Sequence, residues 1–129
     1  MPKRQIETTE APAAIGPFSQ AITSGPFIFC SGQIGADPST GQLVGSDAGE
    51  QTHRVLQNLA AVLEAAGSSL DQVVKTSVFL RHFSDFGAMN EVYASYFPEP
   101  LPARTTVEVS ALPRDALVEI ECIAMRADS

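Results

Sequence analysis

Two stretches of the chain repeat apolar residues every three or four positions, which is the spacing of an amphipathic helix. For the first, Asp47 followed by Glu50 is a capping signal that predicts a start near Asp47, and Gly67 predicts the end. The second is predicted from Ser84 or Asp85 to about Phe97, where a proline-rich segment follows. The two apolar stripes are Leu56, Leu59, Val62, Leu63 and Ala66, and then Phe86, Met89, Tyr93 and Phe97.

Five shorter segments are typical of strands because they are rich in β-branched and aromatic residues: 18–23, 27–34, 73–80, 103–109 and 117–126. The turn residues 24–26 predict that the first two strands pair as a hairpin. Residues 1–15 contain prolines and a run of small residues, and residues 35–46 contain Pro and Gly without periodicity, so we predict irregular structure in both. The order ββαβαββ predicts an α+β fold in which two helices cover one face of a sheet of five to six strands.

The last predicted strand has two apolar faces, and only one of them can meet the helices. Its helix-facing side carries Val118, Ile120, Cys122 and Ala124. The opposite side carries Leu117, Glu119, Glu121, Ile123 and Met125. A solvated face would not combine Leu, Ile and Met, so we expect this side to pack against another subunit, with the two carboxylates at or beside the junction.

Composition narrows the class of protein. The 129 residues suit a single domain spanning positions 1–129, and the net charge of −7 argues against binding nucleic acid or an anionic membrane surface. No apolar stretch is long enough to span a bilayer, and no secretory signal is visible. The two cysteines, Cys30 and Cys122, have none of the spacings of metal or redox motifs, so we expect reduced thiols and a cytoplasmic location.

Candidate chemistry centres on the fourth predicted strand, where Arg104, Thr106 and Glu108 share one side. If the fourth and fifth strands pair antiparallel, as we predict, Arg104 lies within a few residues of Glu119 and Glu121. An arginine fork suits a substrate carboxylate, and a nearby glutamate could act as general base for water. The alternative is a structural Arg–Glu ion pair. Similarly, Gly32 after Ser31 indicates either a β-bulge or close approach of a ligand to the backbone.

Five motifs in order along the chain resemble the Rid, or YjgF, family of reactive-intermediate deaminases. They are APAAIGPFSQ (11–20), CSGQIG (30–35), DFGAMNEVY (85–93), PARTTVEV (102–109) and LPRDALVEIE (112–121). The resemblance implies a chorismate-mutase-like fold and a homotrimer with clefts between subunits. It also implies hydrolysis of 2-imino or enamine acids, such as 2-iminobutanoate and 2-iminopropanoate, to 2-oxo acids and ammonia, without a metal or cofactor.

The resemblance also implies roles for particular residues. Arg104 matches the carboxylate-binding arginine, and Glu119 matches the glutamate that orients or activates water. Ser31 and Gly32 match cleft positions near the ligand, and Asn90 matches a cleft-wall asparagine. The chain departs at two substrate-binding positions, because Phe18 stands where the best-known imine deaminases carry a tyrosine and Thr106 stands where they carry a cysteine.

Two other functions stay open at this point. The first is a ligand-binding or chaperone-like trimer that keeps the cleft without efficient turnover, which the departures at Phe18 and Thr106 favour. The second is an RNA-cleaving translation inhibitor, an activity ascribed to some members of the family, which the net charge of −7 disfavours.

Overall fold

A computed structural model describes residues 2–127 of the chain. Its strands and helices in chain order are β1 Arg4–Ile6, β2 Ala21–Ser24, β3 Phe27–Ile34, α1 Ala48–Ala65, β4 Val73–Leu80, α2 Phe86–Tyr96, β5 Ala103–Glu108 and β6 Val118–Met125. Short 3₁₀ turns precede β4, α2 and β6. Both predicted helices and all five predicted strands are present, together with β1, which was not predicted.

The strands form one mixed six-stranded sheet in the order β1-β2-β3-β6-β4-β5. Neighbouring strands are antiparallel except for β4 and β5, which run parallel. β2 and β3 form the predicted hairpin. The last strand, β6, lies near the centre of the sheet between β3 and β4, whereas β5 forms one edge.

The core lies between one face of the sheet and the two helices, which also pack on each other. Asp47 caps α1 by accepting a hydrogen bond from Glu50 N at 2.8 Å, as the sequence predicts. The α1 stripe is buried except for half-buried Ala66. In α2, Met89 and Tyr93 are buried, and Phe97 just beyond it is buried too. The prediction that both helices cover the same face is therefore confirmed.

The predicted antiparallel pairing of the fourth and fifth strands is wrong. β5 pairs only with β4, in register Thr76–Arg104, and β6 lies on the far side of β4. The physical reason is the β4-α2-β5 unit, because a helical crossover returns the chain parallel to the strand it left. Arg104 is thus separated from Glu119 by a whole strand, and the alternative of a structural ion pair between them also fails.

Two strands begin later than predicted, and β4 contains an irregularity that was not predicted. Phe18 precedes β2 and lies in a turn, where its N–H donates to Gly16 O at 2.9 Å and Gly16 has a φ of 128°. Val74 is an extra residue in the pairing of β4 with β6, so it leaves the face of Thr76 and is 43% exposed. The last strand begins at Val118 rather than Leu117.

The face of the sheet away from the helices is apolar and partly exposed. Ile123 and Met125 are half-buried there, as the alternation in β6 predicts, while Phe29 is 45% and Val107 41% exposed. Cys30 and Cys122 are direct cross-strand neighbours on the buried face, and both are free. Within residues 2–127, neither helix combines the length and apolar character needed to cross a membrane.

Candidate functional site

Glu119 lies against Gly32 on the outer face of the sheet. The pairing of β3 with β6 shifts between Cys30 and Gln33, so Ser31 and Gly32 form the predicted bulge beside Glu119. A Cβ at Gly32 would overlap Glu119 Oε2 and come within 2.9 Å of Glu119 Cδ. A side chain at position 32 would therefore displace the Glu119 carboxyl group, which occupies that space.

The environment of Glu119 favours its neutral form. Burial raises the pKa of Glu119 above its ordinary value of 4.5, and the nearby charge of Glu121 raises it further. A carboxylate with a raised pKa is a stronger base than a free one, which suits a group that exchanges protons with water.

Glu119 and Gly32 open into a mainly apolar cavity of about 350 Å³. Its walls come from four parts of the chain: residues 12–20, the β3 bulge, the 36–41 loop and the turn before β6. Phe18, 52% exposed, lies on its wall. Arg114 also lines the cavity and, with Asp115, has a left-handed backbone, at φ 56° and 59°. The sequence analysis did not single out Arg114.

Ser31 connects the bulge to the loop that carries Phe18. Its Oγ donates to Ser19 O at 2.6 Å, and its N–H donates to Gln20 O at 3.0 Å. Both bonds run to backbone atoms of the 19–20 segment. Ser31 thus fixes the loop beside the cavity, whereas its expected position as a ligand neighbour rests on the family resemblance.

Three buried amide side chains hold the segments around the cavity, and the sequence analysis missed all three. The Gln20 side chain forms hydrogen bonds with the backbone of Thr8, Ala11 and Pro12. Gln51 Oε1 accepts a hydrogen bond from Leu117 N at 2.8 Å. Asn58 Nδ2 donates hydrogen bonds to Ile34 O and Ala36 O. Asn58 was not part of the predicted apolar stripe of α1. Its spacing of three residues from Val55 and four from Val62, both buried, was the available signal.

A second group of predicted site residues lies on the helix side of the sheet, at its β5 edge. The guanidinium Cζ of Arg104 is 4.8 Å from the Tyr93 ring centroid and 5.6 Å from that of Phe86. Thr106 Oγ1 and Asn90 Oδ1 are both buried without a hydrogen-bond partner among residues 2–127. Buried polar atoms are nearly always satisfied in proteins, so the two unsatisfied oxygens make this group a candidate site for a ligand, a water molecule or a second chain.

The structure therefore divides the predicted site residues into two groups. Phe18, Gly32 and Glu119 meet at the cavity, while Arg104, Thr106 and Asn90 belong to the other face. Glu119 on β6 pairs with Phe79 on β4, and Phe79 pairs in turn with Val107 on β5. Val107 follows Arg104 by three residues along β5. With strand spacings of about 4.8 Å and rises of about 3.3 Å, the two Cα atoms are about 14 Å apart, and their side chains point to opposite faces.

Comparison with known proteins decides the family. Residues 8–126 match the family model described as Endoribonuclease L-PSP. The chain belongs to this family. Its L-PSP relatives include a RutC family protein of Pyrococcus horikoshii, 55% identical over 124 residues, 96% of this chain and 98% of that protein. Another is the mouse 2-iminobutanoate/2-iminopropanoate deaminase, 50% identical over 124 residues, 96% of this chain and 92% of the mouse protein.

The L-PSP fold is confirmed by solved structures. A Rid family protein of Yersinia pestis, YyfA, superposes with a TM-score of 0.93 at 50% identity, covering 96% of this chain and 99% of that one. The resemblance to the Rid family found in the sequence motifs is therefore correct, and so is the α+β fold it implies.

Proposed function

We propose that this protein hydrolyses 2-imino acids and their enamine tautomers, of the 2-iminobutanoate and 2-iminopropanoate type, to 2-oxo acids and ammonia. The observation that carries the proposal is Glu119, a half-buried carboxyl group of raised pKa beside Gly32 in an apolar cavity. Relatives also support the proposal. Three of them are named 2-iminobutanoate/2-iminopropanoate deaminase: the mouse protein at 50% identity, the rat protein at 48% and the human protein at 45%.

The chemistry needs one acid–base group and one carboxylate anchor. Glu119 accepts a proton from water as the oxygen bonds to C2 of the protonated imine, which gives a tetrahedral carbinolamine. The carboxyl group then returns the proton to the nitrogen. The C–N bond breaks as the C2 carbonyl forms, and the hydroxyl proton passes through the Glu119 carboxylate to the leaving ammonia. The balance is one protonated imine and one water in, one 2-oxo acid and one ammonium ion out, with no oxidant or cofactor.

Arg104 is the carboxylate anchor in this proposal. Its planar fork of N–H donors suits bidentate binding of a carboxylate. It shares the helix side of β5 with Thr106, and its guanidinium group contacts Phe86 and Tyr93, the α2 residues between which Asn90 lies in sequence. The Thr106 hydroxyl can donate to the substrate, and the Asn90 carbonyl can accept from an imine or ammonia N–H.

Because the two groups face opposite sides of one sheet, we propose that each active site is completed by a second copy of the chain, in a homotrimer. The β5 edge presents Arg104 and Thr106 at the boundary of the molecule, where a neighbour can reach them. The apolar outer face around Phe29 and Val107 supplies the surface for that contact.

The test couples a pyridoxal-phosphate threonine dehydratase, which releases 2-iminobutanoate, to this protein. We expect the protein to speed formation of 2-oxobutanoate beyond the uncatalysed rate, and Arg104→Ala to remove the effect in a folded protein. Calorimetry with 2-oxobutanoate runs in parallel. Binding without acceleration would instead establish a ligand-binding protein, and cleavage of an RNA added alone would establish a ribonuclease.

A further inference from the structure

Tyr93 joins the anchor arginine to the core through two contacts. Its hydroxyl and Thr76 Oγ1 are 2.7 Å apart in a buried hydrogen bond, and its ring lies 4.8 Å from the Arg104 guanidinium carbon. Phe97 packs against the Tyr93 ring, at 4.5 Å between centroids. The ring is therefore held by the helix that carries it, by an aromatic neighbour and by the sheet.

The register of the sheet makes this arrangement specific to Arg104. Thr76 on β4 is the direct pairing partner of Arg104 on β5, and both side chains are on the helix side. Tyr93 therefore forms its hydrogen bond with Thr76, the cross-strand neighbour of Arg104, and its ring contacts the Arg104 side chain. Burial raises the pKa of the Tyr93 hydroxyl, so the group stays neutral and keeps its proton.

The face of an aromatic ring attracts a guanidinium group without using its N–H donors. Phe86 supplies a second ring, 5.6 Å from Arg104 Cζ, and Phe83 stacks on Phe86 at 4.9 Å. A guanidinium held in this way has few orientations. One of its donors also interacts with the Tyr93 hydroxyl, and the others remain available for a substrate carboxylate. Ordering it in advance removes part of the entropy cost of binding.

We propose that Tyr93, held by Thr76, is the positioning residue that orients Arg104 for the substrate carboxylate. The inference rests on the proposed function, because it assigns Arg104 the role of carboxylate anchor. The carboxylate is bound equally in the ground state and the transition state. Loss of the Tyr93–Thr76 bond therefore weakens substrate binding and leaves the chemical step unchanged.

The experiment removes the hydroxyl and keeps the ring. Tyr93→Phe should raise KM for 2-iminobutanoate, and the Kd of 2-oxobutanoate, by about threefold to tenfold, the effect of one net hydrogen bond, with kcat unchanged. Tyr96→Phe is the matched control, because Tyr96 is on the same helix and its hydroxyl lies 3.1 Å from His53 Nδ1, away from the anchor. The control should keep both wild-type constants.

Thr76→Val removes the other half of the bond and should match Tyr93→Phe. The double variant should be no worse than either single one, because both remove the same interaction. A KM unchanged in both single variants, or a fall in kcat at constant KM, overturns the positioning role alone if the wild type hydrolyses the imine. A wild type that neither hydrolyses the imine nor binds 2-oxobutanoate overturns the proposed function as well.

Discussion

Mixing two inactive variants tests whether one active site uses two chains. Arg104→Ala lacks the anchor and Glu119→Gln lacks the base, so each pure protein should be nearly inactive. Within one chain these residues are about 14 Å apart on opposite faces of the sheet, too far for one small imino acid to touch both. Activity in the mixture can therefore come only from sites that take Arg104 from one chain and Glu119 from another.

The size of the recovery follows from counting. In trimers assembled at random from equal amounts of the variants, a site finds an intact Arg104 on one chain in half of cases and an intact Glu119 on its neighbour in half. About one quarter of the sites are then complete, so we expect about one quarter of the wild-type rate. The assay is 2-oxobutanoate formation, after the variants carrying different tags are unfolded and refolded together.

A second mixture is the control. The double variant Arg104→Ala with Glu119→Gln, mixed equally with wild type, should leave about one quarter of the sites complete if a site spans two chains. It should leave about one half if each chain holds its own site. The reasoning is refuted if native mass spectrometry shows mixed trimers in the first mixture and no activity returns.

Four further changes test the cavity and the turn beside it. Glu119→Gln should lower kcat by about 10²-fold and remove the acid limb of the pH profile. In the wild type this limb lies above pH 4.5, because the base works only when deprotonated and the pKa of Glu119 is raised. An unchanged limb would mean that another group is the base. Gly32→Ala should displace the Glu119 carboxyl group and lower kcat by up to about 10²-fold, while thermal stability stays unchanged. Gly87→Ala is the control, because a Cβ at Gly87 meets open space, and it should keep full activity. Phe18→Tyr should shift preference from leucine-derived toward alanine-derived imines, because a hydroxyl on the cavity wall discriminates more strongly than an apolar ring, and equal rate ratios in both proteins would rule this out. Asp115→Gly should relieve a left-handed backbone and raise the free energy of unfolding by up to about 1 kcal/mol in urea titrations, and no gain would show that the turn is unstrained.

The elements with strong periodicity could be predicted from the sequence, and those set by tertiary pairing could not. The stripe of α1 and the alternation of β6 lie within single segments, so their faces follow from spacing alone. β1 has only three residues, Arg-Gln-Ile, with no alternation to reveal it, and it exists because the edge of β2 offers it partners. The neighbour of β5 depends on the crossover through α2, a property of the whole chain.

The candidate site shows the same division. Of the two interpretations offered for Gly32, the β-bulge is confirmed. The space beside this glycine holds the Glu119 carboxyl group, and close approach of a ligand stays a prediction. The partnership expected between Arg104 and Glu119 within one chain was wrong because strand order, which spacing does not encode, put β4 between them. Asn58 was left out of the predicted apolar stripe of α1 because it is polar, although its amide is buried and bonds two main-chain carbonyls.

The three buried amides also bear on how readily the cavity could change its substrate. Gln20, Gln51 and Asn58 hold the surrounding segments by bonds to main-chain atoms of residues such as Pro12 and Ala36, while the side-chain bond from Arg54 to Asn58 lies within α1. Apart from Gln20, which itself lines the cavity, the side chains of the cavity wall do not take part in these bonds. Ile15 or Pro38 could be exchanged to reshape the walls while the scaffold and the Glu119 carboxyl group keep their places. Such a division between a fixed frame and interchangeable walls makes this cavity a favourable starting point for laboratory evolution toward bulkier imines.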